Sequence, residues 1–430
     1  MPNRVILVSV DAMVREDLEI LSQCPNTAEL MKRGSLVESV TTLYPSLTHP
    51  VHATLMSGCR PEKTGIVSNE FFLPGVENPP WLNHMSDVQC KTIFHWAKEA
   101  GLKTAACRWP LTDGANDLID YLVPEVMDAD VEAMPDPEEL YSSKCSPEIY
   151  ETIVKPRLSL LRGTEHPYDE EFSTQCAAAI IEAYQPDLLL THPCYVDAIR
   201  HKNGVFSPLV RDALEATDRW IGMLMGAAKK AGVYEETNFI ICSDHGHRNH
   251  VRSISLNVLL AQMGLIELDA DGHVTDWKAW VKSNCLSALV YVKNPADEAE
   301  IKALLHKLCA ETLYGFDTVY ERSETARLYG LDGDFSFVLE GDGYSVFTDR
   351  WTGDIASPLC DLDHGMRSSH GHLPTKGPQP CLLAAGPGIL PGKRIPHCHV
   401  VDVAPTAAAL LGGVLPEAQG TPIRDLLASF

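Results

Sequence analysis

Two short apolar segments of this chain each run directly into acidic side chains. The first covers residues 4–10 and ends at Asp11, and the second covers residues 238–243 and ends at Asp244 and His245. Apolar runs of this length, rich in β-branched residues, are typical of buried parallel strands. In an open α/β sheet, ligands bind beyond the carboxyl ends of such strands. We therefore expect these polar groups to meet at one edge of a sheet and to bind a ligand there.

Strand-like and helix-like segments alternate along most of the chain. Residues 26–33, 172–184 and 207–231 are helix-like, and the strand-like residues 187–191 and 381–385 lie among or after them. This alternation predicts an α/β fold with a mostly parallel sheet and helices on both faces.

Residues 252–363 differ in character from the rest of the 430-residue chain. They combine a strand-like run at 289–292, a charged helix at 296–309 and several Gly/Asp turns. We interpret them as a smaller, cap-like α+β unit inserted into the core. Residues 1–251 and 364–430 then form the two parts of a catalytic α/β core.

The overall charge and the absence of long apolar runs limit the possible partners. A formal net charge of −23 argues against a surface for a nucleic-acid polymer. It leaves a small phosphate substrate possible, because bound cations can reverse the local field. No apolar run is long enough to cross a bilayer, and the first strand starts too early for a signal peptide.

The cysteines also indicate a reducing compartment. The 13 cysteines include no CxxC pair, which favours reduced thiols over a disulfide framework. We therefore predict a cytoplasmic protein without membrane contact, and the oligomeric state stays open.

Several of the acidic and histidine side chains have the spacing of metal ligands. Asp11, Asp197 and the pair Asp244–His245 fall at or just after strand ends, and His201 lies four residues beyond Asp197. One helical turn would point Asp197 and His201 the same way. A single Asp after a strand is also compatible with a helix cap. Together, however, these groups are costly beside an apolar core unless something such as a pair of cations holds them.

A hydroxyl and an amide could act on a phosphoryl group. Thr48 lies close to a helix expected to begin near Pro50, where free N–H donors favour anions. Thr48 could be only a helix cap, but a metal ion would turn its hydroxyl into a nucleophile. Asn69 could donate its amide to a developing oxyanion, or it could be a turn residue.

These segments, taken in order, resemble the nucleotide pyrophosphatase/phosphodiesterase family of the alkaline phosphatase superfamily. The resemblance covers most of the chain outside the insertion and implies an alkaline-phosphatase-like fold. The matching segments are residues 8–11, 48–52, 57–66, 197–201, 243–246, 370–371, 402–406 and 420–422.

The resemblance implies an enzyme, a metal-dependent phosphodiesterase or nucleotide pyrophosphatase acting on small phosphate esters. It implies two divalent ions, for which the mixed nitrogen and oxygen ligands suit zinc best, although manganese or iron could also fit. One ion would be held by Asp11, Thr48, Asp244 and His245, and the other by Asp197, His201 and His370. Thr48 would attack phosphorus and form a covalent phosphothreonine, while Asn69 would hold a non-bridging oxygen.

The chain also departs from the family pattern. Arg200 stands where relatives often have glycine, and His247 replaces a usual methionine. Arg200 could add positive charge near the leaving group or point to solvent. Asp363 and His364 repeat the Asp–His pair and offer an alternative to His370, although no apolar strand precedes them.

Other functions on the same scaffold stay open. A phosphomonoesterase or phosphonate hydrolase would need additional cationic groups at the site, because a monoester carries more negative charge. The candidate cations are Arg60, Lys63, Arg108 and Arg200. A non-catalytic protein that binds metal or phosphate is the remaining alternative, although no proposed ligand position is empty.

Overall fold

A mixed, mostly parallel sheet forms the centre of the protein. The structure, a computed structural model, describes residues 4–359 and 365–428. The eight strands of the main sheet occur in the spatial order Arg394–Ile395, Gly34–Val37, Leu382–Ala385, Thr237–Cys242, Arg4–Ser9, Leu188–Thr191, Thr104–Cys107 and Tyr121–Val123. Of these eight, Leu382–Ala385 runs antiparallel to both neighbours, and the other pairings are parallel.

The strand Arg4–Ser9 is buried on both faces, which explains its continuous apolar sequence. Val5 and Leu7 belong to one hydrophobic core cluster, whereas Ile6 and Val8 belong to a second cluster on the opposite face. Alternate side chains of a strand point to opposite faces of a sheet, so the two clusters lie on its two sides. The sheet therefore has one core on each face, as the sequence predicts.

Helices cover both faces of the main sheet. Pro25–Arg33, Tyr168–Tyr184 and Val210–Lys230 contribute to one core, and Thr48–Ser57, Ile93–Glu99 and Val403–Leu410 contribute to the other. The other α-helices outside residues 252–363 are Leu18–Leu21, Pro61–Thr64, Asp128–Ala133, Pro137–Lys144, Pro147–Ile149 and Tyr195–Asn203. The predicted helices occur with ends displaced by a few residues, and the helix expected near Pro50 begins at Thr48.

The segment assigned to an insertion contains an antiparallel sheet and a core of its own. Its strands are ordered Ala279–Asn284, Ser287–Val292, Phe337–Gly341 and Phe316–Glu321, and its helices are Leu256–Gln262, Glu298–Glu311 and Arg322–Tyr329. Trp280, Leu305 and Leu339 belong to a separate hydrophobic cluster. The boundaries at residues 252 and 363 stay a prediction.

Short strands lie outside the two larger sheets. They are Val40–Thr41, Arg248–Asn249, Arg252–Ile254, Ile266–Leu268, Val274–Trp277, Ser345–Phe347, Ala356–Pro358, Ser368–Ser369 and Cys398–His399. The pairing of Ser368–Ser369 with Arg248–Asn249 matters most here, because it lies beside several of the site histidines.

A close backbone contact links the antiparallel sheet to the segment that carries His370. The N–H of Leu286 donates to the carbonyl oxygen of His370 at 2.9 Å. Gly371 has φ +90°, and a Cβ added there would lie 1.9 Å from the carbonyl oxygen of Asn284. Glycine is therefore needed after His370 both for its backbone angle and for the space available.

Two expectations, reduced cysteines and the absence of a membrane span, can be compared with the structure. The cysteines within residues 4–359 and 365–428 are free thiols. Over the same ranges, we find no helix that has both the length and the apolar character needed to span a membrane. The cytoplasmic location stays a prediction.

Candidate active site

Three carboxylates lie beyond the carboxyl ends of three adjacent strands. Asp244 follows Thr237–Cys242, Asp11 follows Arg4–Ser9, and Asp197 lies in the helix after Leu188–Thr191. These strands are neighbours in the order given and run parallel. The sheet therefore brings to one edge the residues that the sequence analysis selected from three distant segments.

The first group of candidate ligands surrounds Nε2 of His245. That nitrogen lies 3.2 Å from Oγ1 of Thr48, 3.3 Å from Oδ2 of Asp244 and 3.5 Å from Oδ1 of Asp11. Within the described residues, Asp11 Oδ1 and Asp244 Oδ2 are buried without a hydrogen-bond donor. Buried carboxylate oxygens without a donor are costly unless a cation compensates them. The donor set of three oxygens and one imidazole suits a divalent metal ion.

Main-chain donors orient the Asp244 carboxylate. Its Oδ1 accepts the N–H of Ala12 at 3.1 Å and the N–H of His245 at 2.9 Å, which leaves Oδ2 facing Nε2 of His245. Gly246 follows because a Cβ there would lie 2.2 Å from the carbonyl oxygen of Pro378. The close approach of this carbonyl therefore explains the glycine.

Burial governs the protonation of this first group. Desolvation raises the pKa of Asp11 well above its ordinary value, and it also raises the pKa of Asp244. Desolvation lowers the pKa of His245 well below its ordinary value, so the ring is neutral and keeps a lone pair. A bound cation would favour both carboxylate anions and would accept that lone pair.

The second group lies around Asp197. Asp197 and His201 share the helix Tyr195–Asn203, and Oδ2 of Asp197 lies 3.4 Å from Nε2 of His201. The ring centres of His201 and His370 are 5.3 Å apart. Nδ1 of His370 donates to the carbonyl oxygen of Ser46 at 3.0 Å, so its Nε2 is left as a ligand atom. Asp197, His201 and His370 are thus brought together.

Thr48 is the first residue of the helix Thr48–Ser57 and is partly exposed, unlike the fully buried remainder of that helix. Asn69 lies beside it, because Oδ1 of Asn69 accepts the N–H of His49 at 3.0 Å. With its oxygen fixed as an acceptor, the Asn69 amide has only its NH₂ group to offer a phosphoryl oxygen.

Two further histidines lie beside the carboxylates. Nε2 of His192 lies 3.4 Å from Oδ2 of Asp11, and Nδ1 of His192 lies 3.1 Å from Nε2 of His52. Nδ1 of His52 in turn donates to the carbonyl oxygen of Thr48 at 2.7 Å. His192 follows the strand Leu188–Thr191 directly, so the signal that selected Asp11 could also have found it.

Arg200 occupies neither of the positions expected for it. Its side chain is fully buried, and Nη2 lies 2.7 and 2.6 Å from the two carboxylate oxygens of Asp17. Both expectations, the leaving group and solvent, were wrong, because the helix Tyr195–Asn203 turns this position toward an interior carboxylate.

The other candidate cations also have partners outside the two ligand groups. Arg108 is buried and donates to Asp169, and Nζ of Lys63 donates to the carbonyl oxygen of Glu417 at 3.1 Å. The side chain of Arg60 packs against Gly330. Asp363 and His364 lie outside the described residues, so the alternative ligand pair that they offer is not placed.

The sequence profile of the type I phosphodiesterase / nucleotide pyrophosphatase family matches residues 5–371. The chain belongs to this family, and the resemblance drawn from its motifs is confirmed.

Curated relatives match in sequence over part of their length. An uncharacterized pyrophosphatase/phosphodiesterase of Schizosaccharomyces pombe is 25% identical over 281 residues, covering 64% of this chain and 50% of that protein. Human ectonucleotide pyrophosphatase/phosphodiesterase family member 5 is 28% identical over 254 residues, covering 56% of this chain and 44% of that protein. The chain thus spans half or less of these relatives.

Solved structures match over nearly the whole chain. Murine ectonucleotide pyrophosphatase/phosphodiesterase 5 superimposes with a TM-score of 0.69 at 20% identity, covering 99% of this chain and 100% of that one. A second structure of the same protein, an inactive threonine-to-alanine variant in complex with AMP, matches equally well. This likeness confirms the predicted α/β fold class.

Proposed function

We propose that this protein hydrolyses phosphodiester or pyrophosphate bonds of small substrates, nucleotides included, with Thr48 as the nucleophile. Membership of the phosphodiesterase / nucleotide pyrophosphatase family supports the reaction class. The observation that carries the proposal is the convergence of Thr48 Oγ1, Asp11 Oδ1 and Asp244 Oδ2 within 3.5 Å of His245 Nε2. Two of those three oxygens have no hydrogen-bond donor among the described residues.

The proposed cofactors are two divalent ions, with zinc as the metal that best suits the ligands. Asp11, Thr48, Asp244 and His245 would hold one ion, and Asp197, His201 and His370 would hold the other. When bound, such ions lower the pKa of a coordinated hydroxyl and neutralise charge on phosphoryl oxygens.

The chain's own groups then divide the reaction into two displacements. Thr48 Oγ1 forms a bond to phosphorus while the bond to the leaving oxygen breaks, and the hydroxyl proton passes to solvent or to the leaving group. Water attacks the phosphothreonine in the second step, which breaks the bond to Oγ1 and returns a proton to Thr48. The amide NH₂ of Asn69 would hold a non-bridging oxygen during both steps.

The partners of the nearby cations favour a diester over a monoester. A phosphate monoester brings an additional negative charge, which calls for a cationic side chain in the site. Arg108 and Arg200 are instead buried against carboxylates, and Lys63 is an exposed side chain bound to a carbonyl oxygen. We therefore rank a phosphomonoesterase or phosphonate hydrolase second, and a non-catalytic relative third.

Matched substrates test the proposal. Hydrolysis of bis(4-nitrophenyl) phosphate and of 4-nitrophenyl phosphate should be compared on the zinc-loaded protein, with Thr48→Ala as the control for contaminating activity. We expect a higher kcat/KM for the diester, and a clear preference for the monoester would overturn the choice.

A nucleotide arm and a metal measurement extend this test. The AMP complex of the murine structure makes AMP a suitable competitive ligand to try against the diester. Elemental analysis should find two ions for each chain, and a chain that binds no metal and hydrolyses neither ester would support the non-catalytic alternative.

A further inference from the structure

Three histidine rings surround Asp197, although the family pattern supplies only two of them. The ring centres of His201 and His247 are 4.5 Å apart, and those of His247 and His370 are 5.1 Å apart. Nε2 of His247 lies 2.6 Å from Oδ1 of Asp197. His247 thus lies closer to this carboxylate than His201 does, whose Nε2 is 3.4 Å from Oδ2 of Asp197.

The hydrogen bonds of two rings fix which nitrogen carries the proton. Nδ1 of His201 lies 2.8 Å from the carbonyl oxygen of Ser368, and Nδ1 of His370 lies 3.0 Å from that of Ser46. A carbonyl oxygen only accepts, so each Nδ1 must donate. Both rings therefore turn an unprotonated Nε2 toward Asp197.

The same assignment of donors and acceptors can be made for His247, because its Nδ1 faces a serine hydroxyl. Oγ of Ser368 lies 2.7 Å from the carbonyl oxygen of Arg200 and uses its single proton there. It must then accept from Nδ1 of His247, which lies 3.0 Å away. The neutral ring is left with a lone pair on Nε2, facing a carboxylate oxygen of Asp197. Two acceptors at this distance repel unless a positive charge lies beside them.

The fold holds His247 in this place. The two-residue strand Arg248–Asn249 pairs with Ser368–Ser369, and Arg248 lies opposite Ser369. His247 and His370 are the next residues outward on the two strands, so the pairing keeps them side by side. The ligand atoms of Asp197, His245, His247 and His370 all lie within 4.8 Å of one another, and the three histidines are buried.

We propose that Nε2 of His247 is a fourth protein ligand of the ion held by Asp197, His201 and His370. This inference rests on the proposed two-metal site. Three imidazoles and one carboxylate favour zinc over harder ions such as magnesium or manganese. A fourth protein ligand also leaves this ion fewer open positions than a three-ligand catalytic site has.

The alternative explanation for the contact is a hydrogen bond from His247 to Asp197. If the Ser368 hydroxyl donates to His247, the protonated Nε2 donates to Asp197 and only orients it. His247→Gln separates the two roles, because a glutamine amide can donate to Asp197 but is a poor zinc ligand. His95→Gln, at the start of the helix Ile93–Glu99, controls for the loss of any histidine.

The test measures metal binding rather than turnover. Wild-type, His247→Gln and His95→Gln proteins should be loaded with zinc, dialysed against a graded chelator series and analysed for metal content. We expect His247→Gln to lose one of its two ions at a chelator strength more than about 100-fold lower than wild type, because about 10- to 100-fold is the cost of losing a group that only orients a ligand. The visible spectrum of the cobalt-loaded protein should change in His247→Gln and should stay the same in His95→Gln.

The outcomes separate the inference from the proposed function. A wild-type protein that binds no metal overturns both. A different result overturns only the ligand role of His247. In that case wild type binds two ions, and His247→Gln has the same chelator resistance and the same cobalt spectrum. If His247→Gln does not fold, X-ray absorption of the wild-type zinc protein decides. Four imidazoles shared by two ions support the proposal, and three contradict it.

Discussion

The hydroxyl oxygen of Thr48 lies 3.2 Å from Nε2 of His245, although 197 positions of sequence separate the two residues. Thr48 begins a helix on one face of the sheet, and His245 follows the end of a central strand. Their contact joins the proposed nucleophile to the proposed metal ligands.

Replacing Thr48 by alanine should abolish turnover without loss of the bound metal ions. Asp11, Asp244 and His245 would still supply three donors for the first ion. We expect kcat on a diester to fall by at least about 1,000-fold, because the nucleophile itself is lost. Metal content by elemental analysis should stay at two ions, and Thr48→Ser should retain measurable activity. An active alanine variant would remove Thr48 from the mechanism.

Asp244→Asn should reduce the metal content. The amide can keep the oxygen that accepts from Ala12 and His245, but it places an NH₂ group where Oδ2 faces His245. We expect elemental analysis to find one ion in place of two. Asp218→Asn is a suitable control, because Asp218 is equally buried but accepts the N–H of Thr27 at 2.7 Å. The control should keep both ions, and two ions in Asp244→Asn would refute its ligand role.

The buried pair of Arg200 and Asp17 should contribute to stability more than surface pairs do. Removing Arg200 leaves the Asp17 carboxylate in the interior, and among the described residues only the N–H of Val14, at 2.8 Å, then remains as a donor. We expect Arg200→Met to lower the free energy of unfolding in urea by about 3–5 kcal/mol.

Two variants calibrate that prediction. The double variant Asp17→Asn/Arg200→Met should recover part of the loss, because no charge is left unpaired. Lys91→Met removes an exposed partner of Glu99 and should leave the free energy of unfolding almost unchanged, because solvent screens the pair. If Arg200→Met and Lys91→Met lower the free energy of unfolding equally, the buried pair contributes no more to stability than a surface pair.

Glu125 should make stability depend on pH. Burial raises its pKa to about 7 from the ordinary value of 4.5, and Arg108, 3.9 Å away, offsets only part of that shift. Between these two pH values the folded chain holds a proton that the unfolded chain releases. The folded state binds more protons, so its stability falls as pH rises from about 4.5 to about 7.

Glu125→Gln removes this titration. Relative to the variant, the wild-type protein should lose up to about 3 kcal/mol of unfolding free energy across the window, taking 1.36 kcal/mol for each pKa unit. Urea unfolding of both proteins at pH 5 and pH 8, in the same zinc concentration, measures the difference. A difference between the two proteins that does not change with pH would contradict a raised pKa.

The elements of the main sheet were predictable because their signals are local. The strands Arg4–Ser9 and Thr237–Cys242 are continuous apolar runs, and the polar residues after them mark the edge where ligands bind. The spacing of Asp197 and His201 predicted one face of a helix, and the helix Tyr195–Asn203 provides it. For these residues, neighbours in sequence are enough to indicate the structure.

The surroundings of the site were not predictable in the same way. Arg200 could not be assigned to Asp17, because a charged residue in a helix gives no sign of which distant carboxylate it meets. His52 and His192 meet only through the packing of a helix against the end of a strand. Such contacts join segments far apart in the chain, and no periodicity encodes them.

The sequence by itself determined the alternation of strands and helices and the family, and it singled out candidate metal ligands. Hydrophobic periodicity and short motifs are properties of adjacent residues, so they can be read without a fold. Only the tertiary structure decided that His247 meets Asp197 and that Ser368 and Ser46 set the orientation of the surrounding rings. Those orientations depend on hydrogen bonds to a distant backbone, which exist only once the chain has folded.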